Sequence, residues 1–218
     1  MEGPSDLRLV RGRRTRGLIL GRAVDVASAE GLESLSLGRL AAELQISKSG
    51  VSGHFASRLD LQLAVIDVAA RLYGARVAAP AVAAPEGLAQ LWRLCDGWIE
   101  FMRSGELRGR SFFLTALVEY DARPGAVRDE LVRLRLRWED LFTGFLRAAQ
   151  RLGQVRPDVD APQVFFEVAS VITGAVLEAQ LRDDPAAFDR ARLAVRRRLG
   201  PLLTPGTALP EQPLDLPG

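Results

Sequence analysis

Ser47-Lys48-Ser49-Gly50-Val51-Ser52-Gly53-His54-Phe55-Ala56-Ser57-Arg58 is the stretch on which the reading of this chain turns. Ser47 carries a hydroxyl where a helix N-terminus wants a cap, and Ser57 repeats that signal where a further helix begins. Just upstream, Ser36 caps a short segment in which Leu37, Leu40, Ala41 and Leu44 recur at the spacing of one helix face. Two short helices over 37–44 and 47–54, joined by a tight turn at Gln45 and Ile46, have the form of a helix-turn-helix. In that motif the first helix braces the second, whose outer side fits a DNA major groove about 12 Å wide. The free N–H groups at the start of the second helix suit a phosphate.

Working outward, the chain reads as helix in both directions, so the expected fold is all-α. Residues 15–29 form a first helix with Thr15 as its cap, Ile19, Ala23, Val26 and Ala27 inward, and Gly31 where a helix end favours positive φ. A long helix is expected over 59–77, then a linker over 78–85 marked by Pro80 and Pro85. Further helices are expected over 86–103, 110–120, 125–152, 161–182 and 185–203, with prolines at their ends. Pro205, Pro210, Pro213 and Pro217 mark 204–218 as a disordered tail. At the other end, 1–14 reads as a flexible basic arm. Between Leu7 and Arg22 stand Arg8, Arg11, Arg13, Arg14, Arg16 and Arg22 with no acid among them, a pattern that suits a solvated tail or a nucleic-acid contact. The expected domains are a helix-turn-helix unit over 15–60 and a larger helical domain over 61–203.

Composition narrows the function. Hydrophobic residues are 48% of the 218 and charged residues 26%, enough for a real core. Cys95 is the only cysteine and His54 the only histidine. They cannot build a disulfide framework or a structural zinc site of about four N/S ligands, so neither metal nor cofactor is expected. With no glycine-rich phosphate loop and no second histidine, no catalytic residue is expected; His54 reads as a helix-end hydrogen bonder. No run of about 18 apolar residues suggests a membrane span, and no secretory signal is evident. The expected setting is a bacterial cytoplasm.

The N-terminal quarter is similar to the TetR family of transcriptional regulators. Thr15-Arg16, Ile19-Leu20, Ala23, Gly31, Leu40-Ala41, Ile46-Ser47-Lys48, His54-Phe55, Ser57-Arg58 and Leu61 all fall where that family has matching residues. The resemblance implies a dimer on a palindromic operator in double-stranded DNA. It assigns Lys48 to phosphate or a guanine edge, and Ser49, Gly50, Ser52 and Gly53 to the groove. His54, Arg58, Ser36 and Ser47 are implied phosphate contacts, and Phe55 packs inward. The departures are Gly50 and Ser52, where the family often has threonine and tyrosine, and Gln45, where it often has a turn glycine. A smaller reading face shifts weight to the arm, so Arg13, Arg14 and Arg16 join the expected DNA contacts, by analogy with arms that enter a minor groove.

For the remainder the resemblance implies a small-molecule effector pocket, mostly apolar with a few placed polar groups. Cys95, Trp98, Met102, Phe113, Leu117, Tyr120, Trp138 and Phe142 are the lining candidates, with Ser111, Thr115 and Glu119 supplying polar contacts; an uncharged or cationic apolar ligand fits best. These aromatics also read simply as core. The last two long helices resemble the family's dimer bundle, with Val164, Val168, Val171, Ala175 and Ala179 on one stripe and Ala191, Val195 and Leu199 on the other. Either stripe also suits the protomer's own core. The expected function is a repressor released from DNA by its ligand; the alternative is a DNA-binding regulator or architectural protein without a ligand.

Overall fold

The structure, a computed structural model, describes residues 4–107 and 112–210. Among these residues the elements are helical, and the β feature is an isolated antiparallel bridge between Val155 and Leu203. By its contacts the chain divides into two units. One comprises Met1–Arg71 and Leu107–Val132, the other Leu72–Glu106 and Arg133–Gly218. The boundary expected at 60/61 is therefore not where the contacts draw it, because residues 112–120 pack against the N-terminal helices.

In the first unit, α1 runs Pro4–Glu30. This corrects the expectation of a flexible arm: the helix already covers the basic run from Pro4 onward, and Thr15, expected as its cap, lies inside it. Pro4 stands at the start, where proline is tolerated, and the Leu, Val and Arg that follow are good or fair helix formers. Ile19, Leu20, Ala23, Val24, Val26 and Ala27 anchor its C-terminal half in the core. Gly31 follows with φ 91°, then a 3₁₀ turn over Leu32–Ser34, α2 over Leu37–Glu43, α3 over Lys48–Ser52 and α4 over Arg58–Tyr73. Leu32, Leu35, Leu40, Val51, Phe55, Leu61 and Val65 complete this core. Burying a side chain the size of Phe55 contributes roughly 1.5–3 kcal/mol. Helix α7, Phe112–Tyr120, packs on α1 and on the 3₁₀ turn, with Phe112, Ala116 and Tyr120 buried.

The second unit begins at the end of α4, which does not stop where a linker was expected. The backbone widens into a π-helical turn over Gly74–Ala78 and continues as α5, Ala79–Val82, with Pro80 in its first turn. Pro80 has no N–H to give, and a wide turn just before it lets the helix proceed without that bond. Helix α6, Leu88–Ser104, follows Gly87 and is buried around most of its circumference. Gly87 has φ 93°, and a Cβ there would lie 2.4 Å from Gln154 Oε1, which accepts the Leu88 N–H at 2.8 Å. Helices α9, Ala161–Arg182, and α10, Ala186–Leu199, pack on each other and on α6. Arg192 joins α10 to α6 through Asp96 at 2.6 Å and Glu100 at 3.0 Å. The long α8, Ala126–Arg151, starts in the first unit and carries Phe142, Leu146 and Ala149 into this core.

Two further expectations change. Residues 204–210 of the expected disordered tail are packed. Thr204 Oγ1 donates to the Gly153 carbonyl at 2.7 Å, Leu209 is buried, and the Pro210 carbonyl accepts from Arg196 at 2.7 Å. The rest of that tail, 211–218, and residues 1–3 of the arm lie outside the described residues. Second, α9 is long and apolar enough to cross a membrane, with mean hydropathy 1.5 over 18 residues, because only Glu167 and Glu178 interrupt it before Arg182. In the structure α9 buries one side against α10 and α6 instead.

Candidate nucleic-acid interface

The reading surface is shaped by hydroxyl caps. Ser36 Oγ accepts the Arg39 N–H at 3.1 Å and starts α2; Ser47 Oγ accepts the Gly50 N–H at 3.0 Å and starts α3. Between them Gln45 takes φ 53°, the positive value that a turn glycine would adopt freely and that costs Gln some strain. The Ile46 N–H closes the turn on the Ala41 carbonyl at 3.0 Å. Val51 and Phe55 point inward and hold α3 down, while Ser47, Lys48, Ser49, Ser52 and Gly53 are exposed and Gly50 and His54 half-buried. Lys48 therefore stands at the first position of α3, beside the free N–H groups of its N-terminus.

The arginines differ in availability. Arg13 and Arg14 are exposed on α1. Arg16 turns inward, its guanidinium 4.6 Å above the Phe55 ring, with Nη1 buried and without a hydrogen-bond partner. Arg58 at the first position of α4 pairs with the Glu33 carboxylate at 3.1 Å and also donates to the Glu33 carbonyl. A network that sequence reasoning missed fastens α2 to α1. Arg39 forks across both oxygens of Glu30 and bonds Glu43 at 2.8 Å, and Glu43 also takes Arg22 at 2.6 Å. The bond from Arg39, with that from Arg22, holds the Glu43 carboxyl below the usual range. The two pairs that cross from α2 to α1, Arg39 with Glu30 and Glu43 with Arg22, are 9 and 21 positions apart, so no local spacing rule pairs them, whereas Arg39 and Glu43 stand at i,i+4.

The expected pocket residues divide between the units. In the second, Cys95 is buried, which pushes its thiol pKa up, and Phe142 packs on Phe165 with ring centres 5.3 Å apart. Trp98 and Trp138, both half-buried, meet the buried ring of Tyr73 edge-on at 6.4 and 4.0 Å; Met102 is half-buried. Sequence reasoning missed Tyr73, the ring that both tryptophans meet, although it lies within the long helix expected over 59–77. In the first unit, Phe113 stacks edge-on with Phe112 at 5.1 Å, and Thr115 and Leu117 are half-buried. Ser111 lies outside the described residues. Glu119 and Tyr120, expected as ligand contacts, are engaged by the protein itself. Glu119 accepts the N–H of Leu32 at 2.7 Å and of Glu33 at 2.9 Å, and the Tyr120 hydroxyl donates to the Glu33 carboxylate and accepts from Gln62 at 3.0 Å. A Cβ on Gly31 would sit 2.9 Å from the Glu119 carboxylate, so glycine is required there by contact as well as by φ.

The family described as tetracyclin repressor-like, C-terminal domain, matches residues 87–195, half of the chain. The chain belongs to the TetR family of transcriptional regulators. A TetR-family transcriptional regulator from Streptomyces coelicolor is 26% identical, with TM-score 0.73 over 86% of this chain and 95% of that one. A TetR regulator from Chloroflexus aurantiacus reaches TM-score 0.82 at 20% identity over 88% and 98%. A transcriptional regulator from Saccharomonospora viridis in complex with choline reaches 0.75 at 22% over 88% and 98%. No curated protein matches the chain. The all-α architecture, helix-turn-helix followed by a larger helical region, is that of the TetR fold.

As a TetR protein, this chain departs from the stripe expected for pairing. Val164, Val168, Ala175, Ala191, Val195 and Leu199 are buried inside the protomer, and Val171 and Ala179 half-buried, so that stripe covers the protomer's own core. The opposite side of α9 exposes Phe166 at 63%, Gly174, Leu177 at 48% and Leu181 at 82%, while α10 exposes Leu193 at 46%. These positions also recur at helical spacing, so periodicity alone supports either stripe.

Proposed function

We propose that this TetR-family regulator is a homodimeric repressor that reads a palindromic operator through α3 and is released by a small apolar ligand. The observation that carries the DNA-reading part is the surface from Ser47 to Gly53. It is a capped helix with one apolar residue turned inward and Lys48 and three serines turned out. Arg13, Arg14, Ser36, His54 and Arg58 are the proposed phosphate contacts around it. The exposed side of α9 with Leu193 supplies the dimer patch, since a two-fold interface needs an apolar surface that the protomer leaves open. Two readers in one dimer bind half-sites about 34–36 Å apart, or further if they splay.

Ligand response draws support from the aromatic cluster around Tyr73 and from the choline held by the Saccharomonospora viridis protein. Ligand then acts by differential affinity for two reader spacings, a coupling of about 1–3 kcal/mol. The second reading, a regulator without a ligand, is favoured by one observation. Glu119, expected as a polar contact to a ligand, and Tyr120, expected in the pocket lining, are already bonded to the turn at Leu32–Glu33.

Selection of bound fragments from random DNA tests the proposal. An inverted repeat that the purified protein binds as a dimer is expected, and recovery of no common sequence would remove the operator reading. Choline and apolar amines are then added to the bound complex. Release by any of them supports ligand gating, and release by none favours the second reading.

A further inference from the structure

Glu33 lies at the centre of a polar cluster that operator reading alone does not explain. Its carboxylate faces Arg58 at 3.1 Å, Arg123 at 3.6 Å and Gln62 Nε2 at 3.4 Å, and takes the hydroxyl of Tyr120. Its backbone is fixed as well. Glu119 receives the N–H groups of Leu32 and Glu33, and Gln62 donates to the Leu32 carbonyl at 3.0 Å. Two of these partners, Glu119 and Tyr120, belong to α7. By contacts α7 joins the reader unit, yet its sequence lies within the residues 87–195 that match the family's C-terminal domain.

We propose that Glu33 is an intramolecular rival of DNA phosphate for Arg58, held in that place by α7, so that the grip of α7 on the 3₁₀ turn sets operator affinity. This rests on Arg58 being a phosphate contact, as proposed above. A carboxylate and a phosphate engage guanidinium donors in the same way, so Arg58 serves one more fully than both at once. The exchange is cheap: the Arg58 and Glu33 side chains are 45% and 41% exposed, and a pair so open to water holds weakly. When Arg58 leaves, Glu33 keeps Tyr120, Gln62 and Arg123, so no charge is stranded. The Tyr120 hydroxyl, with Arg58 next, holds the Glu33 carboxyl below its usual range, so the rival remains charged at neutral pH. Tyr120 and the two bonds to Glu119 keep the carboxylate at Arg58 rather than free in solvent.

The test measures binding to the selected operator fragment across salt concentrations. Glu33→Gln should bind about three- to tenfold tighter at low salt, with the log–log salt slope steeper by about 0.9, the signature of one more phosphate contact. The gain should vanish in the Arg58→Ala background. Tyr120→Phe should show a smaller gain in the same direction. A Glu33→Gln protein that binds no tighter overturns the proposal while leaving the operator reading intact. A gain of equal size without Arg58 also overturns it, since it then reflects only removal of a negative charge near DNA. A Tyr120→Phe protein without any gain removes α7 from the device. If the wild-type protein selects no DNA at all, the operator reading itself fails.

Discussion

α3 and α9 each turn one side outward, and they are held by different physics. α3 has five residues, one of which, Val51, is buried; the Ser47 cap, a strained turn and the adjacent Phe55 keep it in place. α9 has 22 residues and two apolar sides, one buried in the protomer and one left open. Where a helix is held by local bonds, its exposed side chains can be named from the sequence. Where it is held by burial on one of two equally apolar sides, the neighbours decide which side is which.

The sharpest test of that contrast is on α9. Val168 is 1% exposed and Phe166 63%. Val168→Asp places an unpaired charge in the core, which costs several kcal/mol and should abolish the cooperative thermal transition. Phe166→Asp with Leu177→Asp should leave the helical signal of the protomer intact and convert dimer to monomer in sedimentation at micromolar concentration. An intact fold with lost pairing in Val168→Asp would mean the two sides have been assigned the wrong way round.

The next effect is smaller and belongs to α3. Lys48→Ala should weaken operator binding about five- to tenfold and flatten the salt slope by about 0.9. Arg197→Ala, which removes an exposed charge from α10, should change neither. Equal losses from both would mean that the protein senses only total positive charge, and that α3 has no special place on DNA.

These outcomes bear on what could be read beforehand. Ser36, Ser47 and the positive φ at Gly31 follow from rules that act within a few residues, the inward Phe55 and the positive φ at Gln45 from the resemblance, and all are found. The α9 boundaries, 161–182, agree because Asp160 and Pro162 signal the start locally. Thr15 failed as a cap because a good cap residue does not stop a helix whose upstream residues are themselves helix formers. Pro80 failed as a linker mark because a π turn accommodates it. Glu119 and Tyr120 were assigned to a ligand because nothing in the sequence shows that α7 folds back on a turn 86 or 87 residues away.

Acid should affect both regions in the same direction. Glu30 on α1 and Glu43 on α2, and Asp184 and Asp189 at α10, all have carboxyl pKa values lowered, chiefly by hydrogen bonds from Arg39, Arg190 and Arg103. Groups whose folded pKa is depressed add stability above the unfolded value, about 4 for these carboxyls, and lose it as pH falls through the folded value. The melting temperature should therefore hold between pH 7 and 5 and decline below about pH 4. These pairs are exposed, so the decline should be modest. Melting that improves on acidification would show that the ion pairs do not form.

The smallest effects concern two glycines that both lie within helices. Gly21 on α1 is exposed with open space where a Cβ would stand, so Gly21→Ala should raise stability by about 0.5–1 kcal/mol through helix propensity. Gly50 on α3 offers the same gain by propensity, but its Cβ would lie 3.2 Å from Ser47 Oγ, the atom that accepts Gly50's own N–H. Displacing that cap costs about 0.5–2 kcal/mol, enough to cancel or reverse the gain. Chemical denaturation of the two variants side by side should show Gly21→Ala stabilised and Gly50→Ala neutral or weakened. Equal stabilisation would mean that Ser47 yields without loss, so that α3 is held by Val51 and Phe55 alone and shares with α9 its dependence on burial.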